Sequence, residues 1–255
     1  MNAAQPAAVV EIRVVTHDGA LPEVADYARD RIGALVRSAR RPVPSVRVRL
    51  SRHGKPEVPW AVVAQANLFV DGVPMRAQAE GGNSWEAVDR LEERLRCQLC
   101  ARRGSRPEGA PPRSHRWYHR PETERRVVRR KSCALRRCTV EEAAREMGLL
   151  DYDFHLFVEA TTGQDAVLVL ADTTGYRLTL VAPPGPGEFG ATRLPLTVGT
   201  EPAPRLTVEE AVVRSNEADV PFLFFVDTGR DRGAVLYRRY DGHYGLITPP
   251  AEKIP

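Results

Sequence analysis

Four cysteines are reactive residues whose spacing could form a metal-binding or redox site. They form two close pairs, Cys97-x-x-Cys100 and Cys133-x4-Cys138, and two such pairs could hold a zinc ion or work as redox dithiols. The first pair lies inside a helical pattern, the second spacing is unusual, and no histidine lies at a ligand-like offset from either. We therefore expect four reduced thiols and no metal or cofactor, with zinc and redox roles as the alternatives.

The histidines and the paired glutamates do not form a catalytic constellation. Glu141-Glu142 and Glu209-Glu210 resemble acid–base pairs, but the second glutamate of each pair follows a threonine by three residues, as in a capping box. Beside Phe154 in a strand pattern, His155 is expected to be packed rather than functional. None of the six histidines belongs to a recognisable motif: His17, His53, His115, His119, His155 and His243. We predict that the protein is not an enzyme and has no small-molecule substrate.

Arginine is the residue type that clusters. Structured RNA presents phosphates and 2′-hydroxyls, and guanidinium groups on a rigid scaffold can bind both. The alternative is that each arginine lies on a solvated face. The cluster favours RNA, and the predicted RNA-binding residues are Arg29, Arg37, Arg40, Arg41, Arg47, Arg49, Arg90, Arg94, Arg102 and Arg103. The tract Trp117-Tyr118-His119 could add stacking on unpaired bases.

The charge is distributed unevenly along the chain. Residues 1–103 contain 16 Lys/Arg against 12 Asp/Glu, residues 104–138 contain 11 against 3, and residues 139–255 contain 10 against 18. This segregation predicts that the front half and the linker meet a polyanion, whereas the acidic back half does not. The alternative is that arginine usage reflects only a high-GC genome.

The chain of 255 residues is long enough for two or three compact units. It has no apolar run near the roughly 20 residues that a membrane span needs, and no signal peptide at residues 1–10. These features favour a cytoplasmic globular protein without a membrane partner.

The pattern of the first hundred residues predicts the element order β-α-β-β-β-α. Strands are predicted at residues 9–16, 45–51, 60–70 and 73–80, with the last two joined by Asp71-Gly72, a favoured hairpin turn. One helix starts at Leu21-Pro22, and Asn83 or Ser84 caps the other. The pattern predicts a two-layer α+β domain.

The back half of the chain contains an internal sequence repeat. Residues 139–182 align without a gap on 207–250, a shift of 68 positions, with about a third of the positions identical. A period of this length indicates two copies of one small structural unit. We call the two copies repeat 1 and repeat 2. Each is predicted to be β-α-β-β-β, with a short leading strand near residues 126–131 in repeat 1 and 193–198 in repeat 2. We expect domains at residues 1–103, 126–184 and 185–255, with an Arg/Pro-rich linker at 104–125.

Several motifs resemble a known family, the long-form ribosome hibernation promoting factors. Residues 234–247 (AVLYRRYDGHYGLI) closely resemble the end of that family's C-terminal domain. Weaker matches are 127–131 (VVRRK), 141–143 (EEA) with Met147, and 153–157 (DFHLF). The front domain, with 75–79 (MRAQA), 85–89 (WEAVD) and Gln98, resembles the family's ribosome-binding domain. The doubled C-terminal unit is most similar to the actinobacterial dormancy-associated branch.

The resemblance implies a protein of stress and dormancy that inhibits translation. The family's front domain lies in the messenger and transfer RNA channel of the small ribosomal subunit, so the implied partners are ribosomal RNA and ribosomal proteins. This chain departs from the family late in its second helix, where Cys97, Cys100 and Ala101 stand in place of charged residues. Repeat 1 also lacks the Tyr-Arg-Arg and Asp-Gly elements of repeat 2.

Members with one C-terminal domain pair it with that of a second chain. Two tethered copies could instead pair within one chain, because a short flexible tether gives a roughly millimolar effective concentration. We therefore predict an intrachain pseudo-dimer, a monomeric protein, and silencing of single ribosomes. Residues predicted to contact the other repeat or the ribosome are Phe154, Phe157, Phe222, Phe225, Tyr237 and Tyr244. The alternatives are a ribosome-dimerising factor and a stress regulator that binds another protein through the repeat pair.

Overall fold

A computed structural model describes residues 10–17, 22–39, 41–52, 62–100, 119–171, 175–185, 192–239 and 241–250. The chain divides into two compact units. The first comprises residues 1–111 with 148–152, and the second comprises 112–147 with 153–255. None of the helices in these ranges is long and apolar enough to cross a bilayer.

The first unit has the predicted order of elements. These are β1 (Glu11–His17), α1 (Pro22–Arg37), β2 (Ser45–Arg52), β3 (Val62–Val70), β4 (Val73–Gly81) and α2 (Ser84–Cys100). The sheet order is β1-β2-β3-β4. The first pair of strands is parallel, and the other two pairs are antiparallel.

The core of the first unit lies between the helices and one face of the sheet. Val46, Val48 and Leu50 alternate with exposed residues along β2, and they pack in one cluster with the apolar stripes of α1 and α2. Ile32 of α1 and Leu91 of α2 are fully buried in this cluster. Strand alternation therefore places mainly polar and charged side chains, together with the exposed Phe69, on the opposite face of the sheet.

Local signals end and start these elements where the sequence predicts. Asp71 and Gly72 both have positive φ, 52° and 77°, as a tight two-residue hairpin turn requires. The side chain of Asn83 accepts a hydrogen bond from the Glu86 amide at 2.9 Å, so Asn83 is the cap of α2.

The second unit contains both repeats except residues 148–152 of repeat 1, which belong to the first unit. Repeat 1 provides β6 (Arg137–Cys138), α3 (Val140–Leu149), β7 (Phe154–Glu159), β8 (Asp165–Ala171) and β9 (Gly175–Leu180). Repeat 2 provides β11 (Arg205–Leu206), α4 (Val208–Glu217), β12 (Phe222–Asp227), β13 (Arg232–Arg238) and β14 (Tyr244–Thr248). The leading strand of repeat 1 is β5 (Val127–Ser132), and the leading strand of repeat 2 is β10 (Leu196–Val198).

The leading strand of each repeat joins the sheet of the other repeat. The two sheets have the orders β10-β9-β8-β7-β6 and β11-β12-β13-β14-β5. Strand β5, which leads into repeat 1, pairs in parallel with β14, and β10, which leads into repeat 2, pairs in parallel with β9. Because of this reciprocal exchange, neither sheet is complete without a strand from the other copy.

The two sheets of the second unit face each other. One apolar cluster contains Leu156 and Val167 of repeat 1 together with Phe224, Val226 and Val235 of repeat 2. On its other face, the sheet of repeat 2 is covered by α4. This packing is the predicted intrachain pseudo-dimer, and the α+β class with a two-layer front domain is confirmed.

Candidate nucleic-acid interface and the interface between the repeats

The open face of the first sheet carries a group of arginines. Arg47 and Arg49 alternate with the buried residues of β2 and are exposed, and the register places Arg13 of β1 directly beside Arg47. Neighbouring strands lie about 4.8 Å apart, so these guanidinium groups share one surface. Among the described residues none of the three forms an ion pair with a carboxylate, which leaves their charge available to an external anion.

Two of the predicted arginines on the helices form exposed ion pairs. Arg29 pairs with Asp26 on α1, and Arg90 pairs with Glu86 on α2 at 2.6 Å. Such exposed pairs contribute about 0–1 kcal/mol, so an RNA phosphate could displace the carboxylate at small cost. The pairing nevertheless reduces the net positive potential of the helical face.

The other predicted arginines of the first unit have different surroundings. Arg94 lies 3.1 Å from Asp151, and both side chains are mostly buried, so its charge is already used inside the unit. Arg41 is 3.8 Å from Asp71, a long exposed contact. Arg37 is exposed and has no carboxylate partner among the described residues. Arg40, Arg102, Arg103, Trp117 and Tyr118 lie outside the described residues.

Sequence reasoning missed Arg13 as a member of this surface. Along β1, Arg13 alternates with Ile12 and Val14, which pack against the core, so the period-two signal was present. The missing information was the parallel register that joins Arg13 to Arg47. The same line across the sheet continues through Asn67 of β3 to Arg76 of β4.

Of the six predicted contact residues, three lie at the interface between the repeats. The rings of Phe154 and Phe222 occupy equivalent positions and stack with centroids 5.6 Å apart. Tyr237 crosses from repeat 2 to within 5.9 Å of Phe154. A residue that meets its own equivalent marks the axis of a two-fold arrangement.

The other three predicted contact residues are fully buried away from that interface. Phe225 and Tyr244 belong to the cluster between the second sheet and α4. The Tyr244 hydroxyl donates to the side-chain oxygen of Asn216 on α4 at 2.6 Å. Phe157, the equivalent of Phe225, lies beside His155 on the corresponding face of the other sheet. These three side chains therefore support the layer within each repeat.

A buried ion pair crosses the repeat interface. The Asp165 carboxylate accepts from Arg232 Nε at 2.8 Å and from Arg232 Nη2 at 2.9 Å, and it also accepts from the Gly233 amide at 2.8 Å. Only 6% of the Asp165 side chain is exposed. Parallel N–H···O bonds of this kind add geometric specificity to the charge attraction.

The end of the predicted linker lies against repeat 2. Arg125 donates to the side-chain oxygen of Asn216 at 2.9 Å, and Arg120 donates to the Asp241 carbonyl at 3.2 Å. A single 3₁₀ turn at Glu122–Glu124 separates the two arginines. Both guanidinium groups are therefore used by the second unit. Residues 104–118, the rest of the predicted linker, lie outside the described residues.

Both capping boxes predicted from the sequence are confirmed. The Glu142 amide donates to Thr139 Oγ1 at 3.3 Å, and the Thr139 amide donates back to Glu142 at 3.0 Å. In repeat 2 the corresponding distances are 3.2 Å and 2.8 Å. The hydrogen bonds from Thr207 hold the pKa of Glu210 below its usual range. These glutamates act as helix caps.

Cys97, Cys100, Cys133 and Cys138 are free thiols. Burial raises the pKa of Cys138 to about 11, so its thiolate is scarce at neutral pH. No group of three potential metal ligands occurs among the described residues. His155 lies in a mostly buried site beside Glu146, and burial lowers the pKa of its imidazole.

Comparison with known proteins places these features in context. The model of the family described as "Sigma 54 modulation/S30EA ribosomal protein C terminus" matches the chain twice, at residues 122–178 and 198–246. A "Dormancy associated translation inhibitor" from Mycobacterium tuberculosis is 37% identical over 262 residues, which cover 94% of this chain and 93% of that protein. A "Ribosome hibernation promotion factor" from Picosynechococcus sp. is 22% identical over 168 residues, covering 60% and 87%. The structure of the Thermus thermophilus Protein Y N-terminal domain is 22% identical and covers 35% of this chain and 94% of that one, with a TM-score of 0.30.

Proposed function

This chain belongs to the family of long-form ribosome hibernation promoting factors, in its dormancy-associated branch, and we propose that it silences translation by occupying the messenger and transfer RNA channel of the small ribosomal subunit. In this proposal the first unit binds ribosomal RNA. The repeat pair adds contacts to the same ribosome and does not recruit a second one. The observation that carries the proposal is the group of unpaired arginines on the open face of the first sheet.

The chemistry of that face fits an RNA backbone. Arg13, Arg47 and Arg49 project from adjacent strands of a rigid sheet whose other face is a closed core, so little backbone freedom is lost on binding. Arg29, Arg37 and Arg90 belong to the helical layer on the other side of the sheet, where they form a second group of positive side chains, and Arg29 and Arg90 must first release their carboxylates. Gln65 and Asn67 on β3 supply neutral hydrogen-bonding groups beside the arginines.

The packing of the repeats supports silencing of single ribosomes. The apolar faces that could pair with a second chain already cover each other, with Phe154 stacked on Phe222. Exchange of β5 and β10 also completes each sheet within the chain. A second chain at micromolar concentration competes poorly with a tethered partner at roughly millimolar effective concentration.

Salt-dependent cosedimentation with purified small subunits tests the RNA contact. Binding through phosphates weakens steeply with salt, because each contact releases a condensed counterion. The double variant Arg47→Gln/Arg49→Gln should bind at least 10-fold more weakly at about 0.1 M salt and lower the slope of log K against log salt by about 1–2. The matched control is Arg205→Gln/Arg214→Gln, which removes the same charge from exposed positions of the second unit.

Two results would reject the proposal. Equal weakening by both double variants would mean that only total charge matters, and binding that does not respond to salt would exclude a phosphate-dominated contact. Binding of ribosomal protein or another protein through the repeat pair, with the arginine face free, would instead support the protein-binding regulator.

A further inference from the structure

The two repeats are not interchangeable at the interface they share. The Gln164-Asp165 pair of repeat 1 corresponds, 68 positions later, to Arg232-Gly233 of repeat 2, and these two sites meet across the interface. We infer that the interface is a heterotypic recognition surface, on which repeat 1 binds a repeat-2 face and rejects a second repeat-1 face. The inference concerns recognition between repeats and stands apart from ribosome binding.

The charges at this site are complementary in only one combination. Asp165 is buried and is bound by Arg232 through two nitrogens. A pair of repeat-1 faces would bring two aspartates together with no arginine, and a pair of repeat-2 faces would bring two arginines together with no carboxylate. Removing one partner of a buried ion pair is strongly destabilising because it leaves an uncompensated charge.

The shapes at this site are complementary in the same sense. A Cβ atom added to Gly233 would lie 2.7 Å from Asp165 Cβ and 3.0 Å from the ring of Phe224. A side chain is therefore tolerated on one side of the axis only. Asp165 fills the space that Gly233 leaves open, and the Gly233 amide donates to it at 2.8 Å.

Around the two-fold axis, two side chains of repeat 1 are smaller than the equivalent side chains of repeat 2. Leu156 of repeat 1 corresponds to Phe224 of repeat 2, and both are buried in the shared cluster. Val169 corresponds to Tyr237, whose ring lies over Gly245 and reaches Phe154. Two repeat-2 faces would bring four large rings into space that holds two, and two repeat-1 faces would leave voids, both of which are destabilising.

Exchange of residues between the repeats tests this recognition in the full chain. Arg232→Gln/Gly233→Asp gives both repeats the Gln-Asp pair, and Gln164→Arg/Asp165→Gly gives both the Arg-Gly pair. Each variant should lower the thermal midpoint of the second unit by roughly 5–15 °C. The fourfold variant, with the pairs exchanged, should recover at least half of the loss, although Phe224 must shift to admit the side chain introduced in place of Gly233.

Mixing the two one-sided variants gives a second readout. Repeat pairing across chains would restore the Asp–Arg match, so the mixture should form a 1:1 complex in sedimentation velocity that neither variant forms alone. Asp165→Asn, which keeps the shape and removes the charge, should lower the midpoint by a few degrees even if the double variants fold poorly. Arg205→Gln is the control, because its partner Asp231 is exposed and within the same repeat.

The inference is overturned if the fourfold variant loses as much stability as the two one-sided variants combined. That result would assign these residues to their own repeats. It is also overturned if Asp165→Asn and Arg205→Gln have the same negligible effect, or if the mixture of one-sided variants contains no complex. None of these outcomes depends on whether the protein binds small subunits.

Discussion

His155 is a titratable side chain at a position where repeat 2 carries Leu223. Burial lowers the pKa of its imidazole, Arg136 lowers it further, and Glu146 opposes both. In the unfolded chain the ordinary histidine pKa of about 6.5 applies. The unfolded state therefore takes up more protons at His155 below about pH 6.5, so the contribution of His155 to stability is constant above that pH and falls as the pH drops toward the folded-state pKa.

We predict that His155→Leu reduces the pH dependence of stability between pH 7.5 and 5.5. The variant copies the residue of repeat 2, so it fills the site without a titratable group. The difference between the urea unfolding midpoints at pH 7.5 and 5.5 should be smaller for the variant than for the unmodified protein, with a remainder from His243, whose pKa burial also lowers. An unchanged difference between the two pH values in His155→Leu would assign the acid sensitivity to other groups.

At the level of elements, the exchanged strands make each repeat depend on the other. The Gly199 amide, just after β10, donates to the Leu178 carbonyl of β9 at 2.8 Å, and the Tyr176 amide of β9 donates to the Pro195 carbonyl at 2.8 Å. A segment that precedes repeat 2 along the chain therefore holds the edge of the repeat-1 sheet.

We predict that Gly199→Pro loosens β9 of repeat 1 before it affects α4 of repeat 2. Proline has no amide hydrogen, so the bond to Leu178 is lost. Gly199→Ala is the matched control, since it keeps the amide and its Cβ meets the Leu178 oxygen at an ordinary 3.4 Å. Hydrogen exchange at the Tyr176 amide should accelerate in the proline variant only. Faster exchange in α4 with unchanged β9 would contradict the observed strand order.

The sequence predicts the elements well and their partners poorly. The 68-residue period, strand alternation and the capping threonines Thr139 and Thr207 locate both repeats, because these signals are local. The sequence also predicts strands β5 and β10. No local signal shows whether such a strand joins the sheet of its own repeat or that of the other repeat. Sheet pairing depends on which apolar faces meet in three dimensions.

The candidate site shows the same division. Exposed arginines on β2 follow from alternation alone. The pairing of Arg29 and Arg90 with Asp26 and Glu86 follows from helical spacing, which the charge counts do not use. The contact of Asp165 with Arg232 could not be predicted, because it joins residues that are 67 positions apart on different sheets.

For the molecule as a whole, duplication places both sides of the repeat interface within one chain. The two repeats already contact each other inside the second unit through two stacked rings, a shared apolar cluster and a buried ion pair. The difference in charge between the halves then has a simple interpretation. The basic front half is suited to a polyanion, and the acidic repeats are repelled by it unless a specific site accepts them.

We predict that the purified chain loads single ribosomes and does not join them in pairs. At micromolar protein, intrachain pairing is favoured by about a thousandfold over pairing between chains, given a roughly millimolar effective concentration. In sucrose gradients, bound protein should follow the single-ribosome peak at every ratio of protein to ribosome. The Arg47→Gln/Arg49→Gln variant supplies the control, since its weaker binding should leave a larger share of the protein at the top of the gradient and the ribosome profile unchanged. A dominant ribosome-dimer peak that grows with added protein would mean that the repeat pair opens or presents a second adhesive surface on the ribosome.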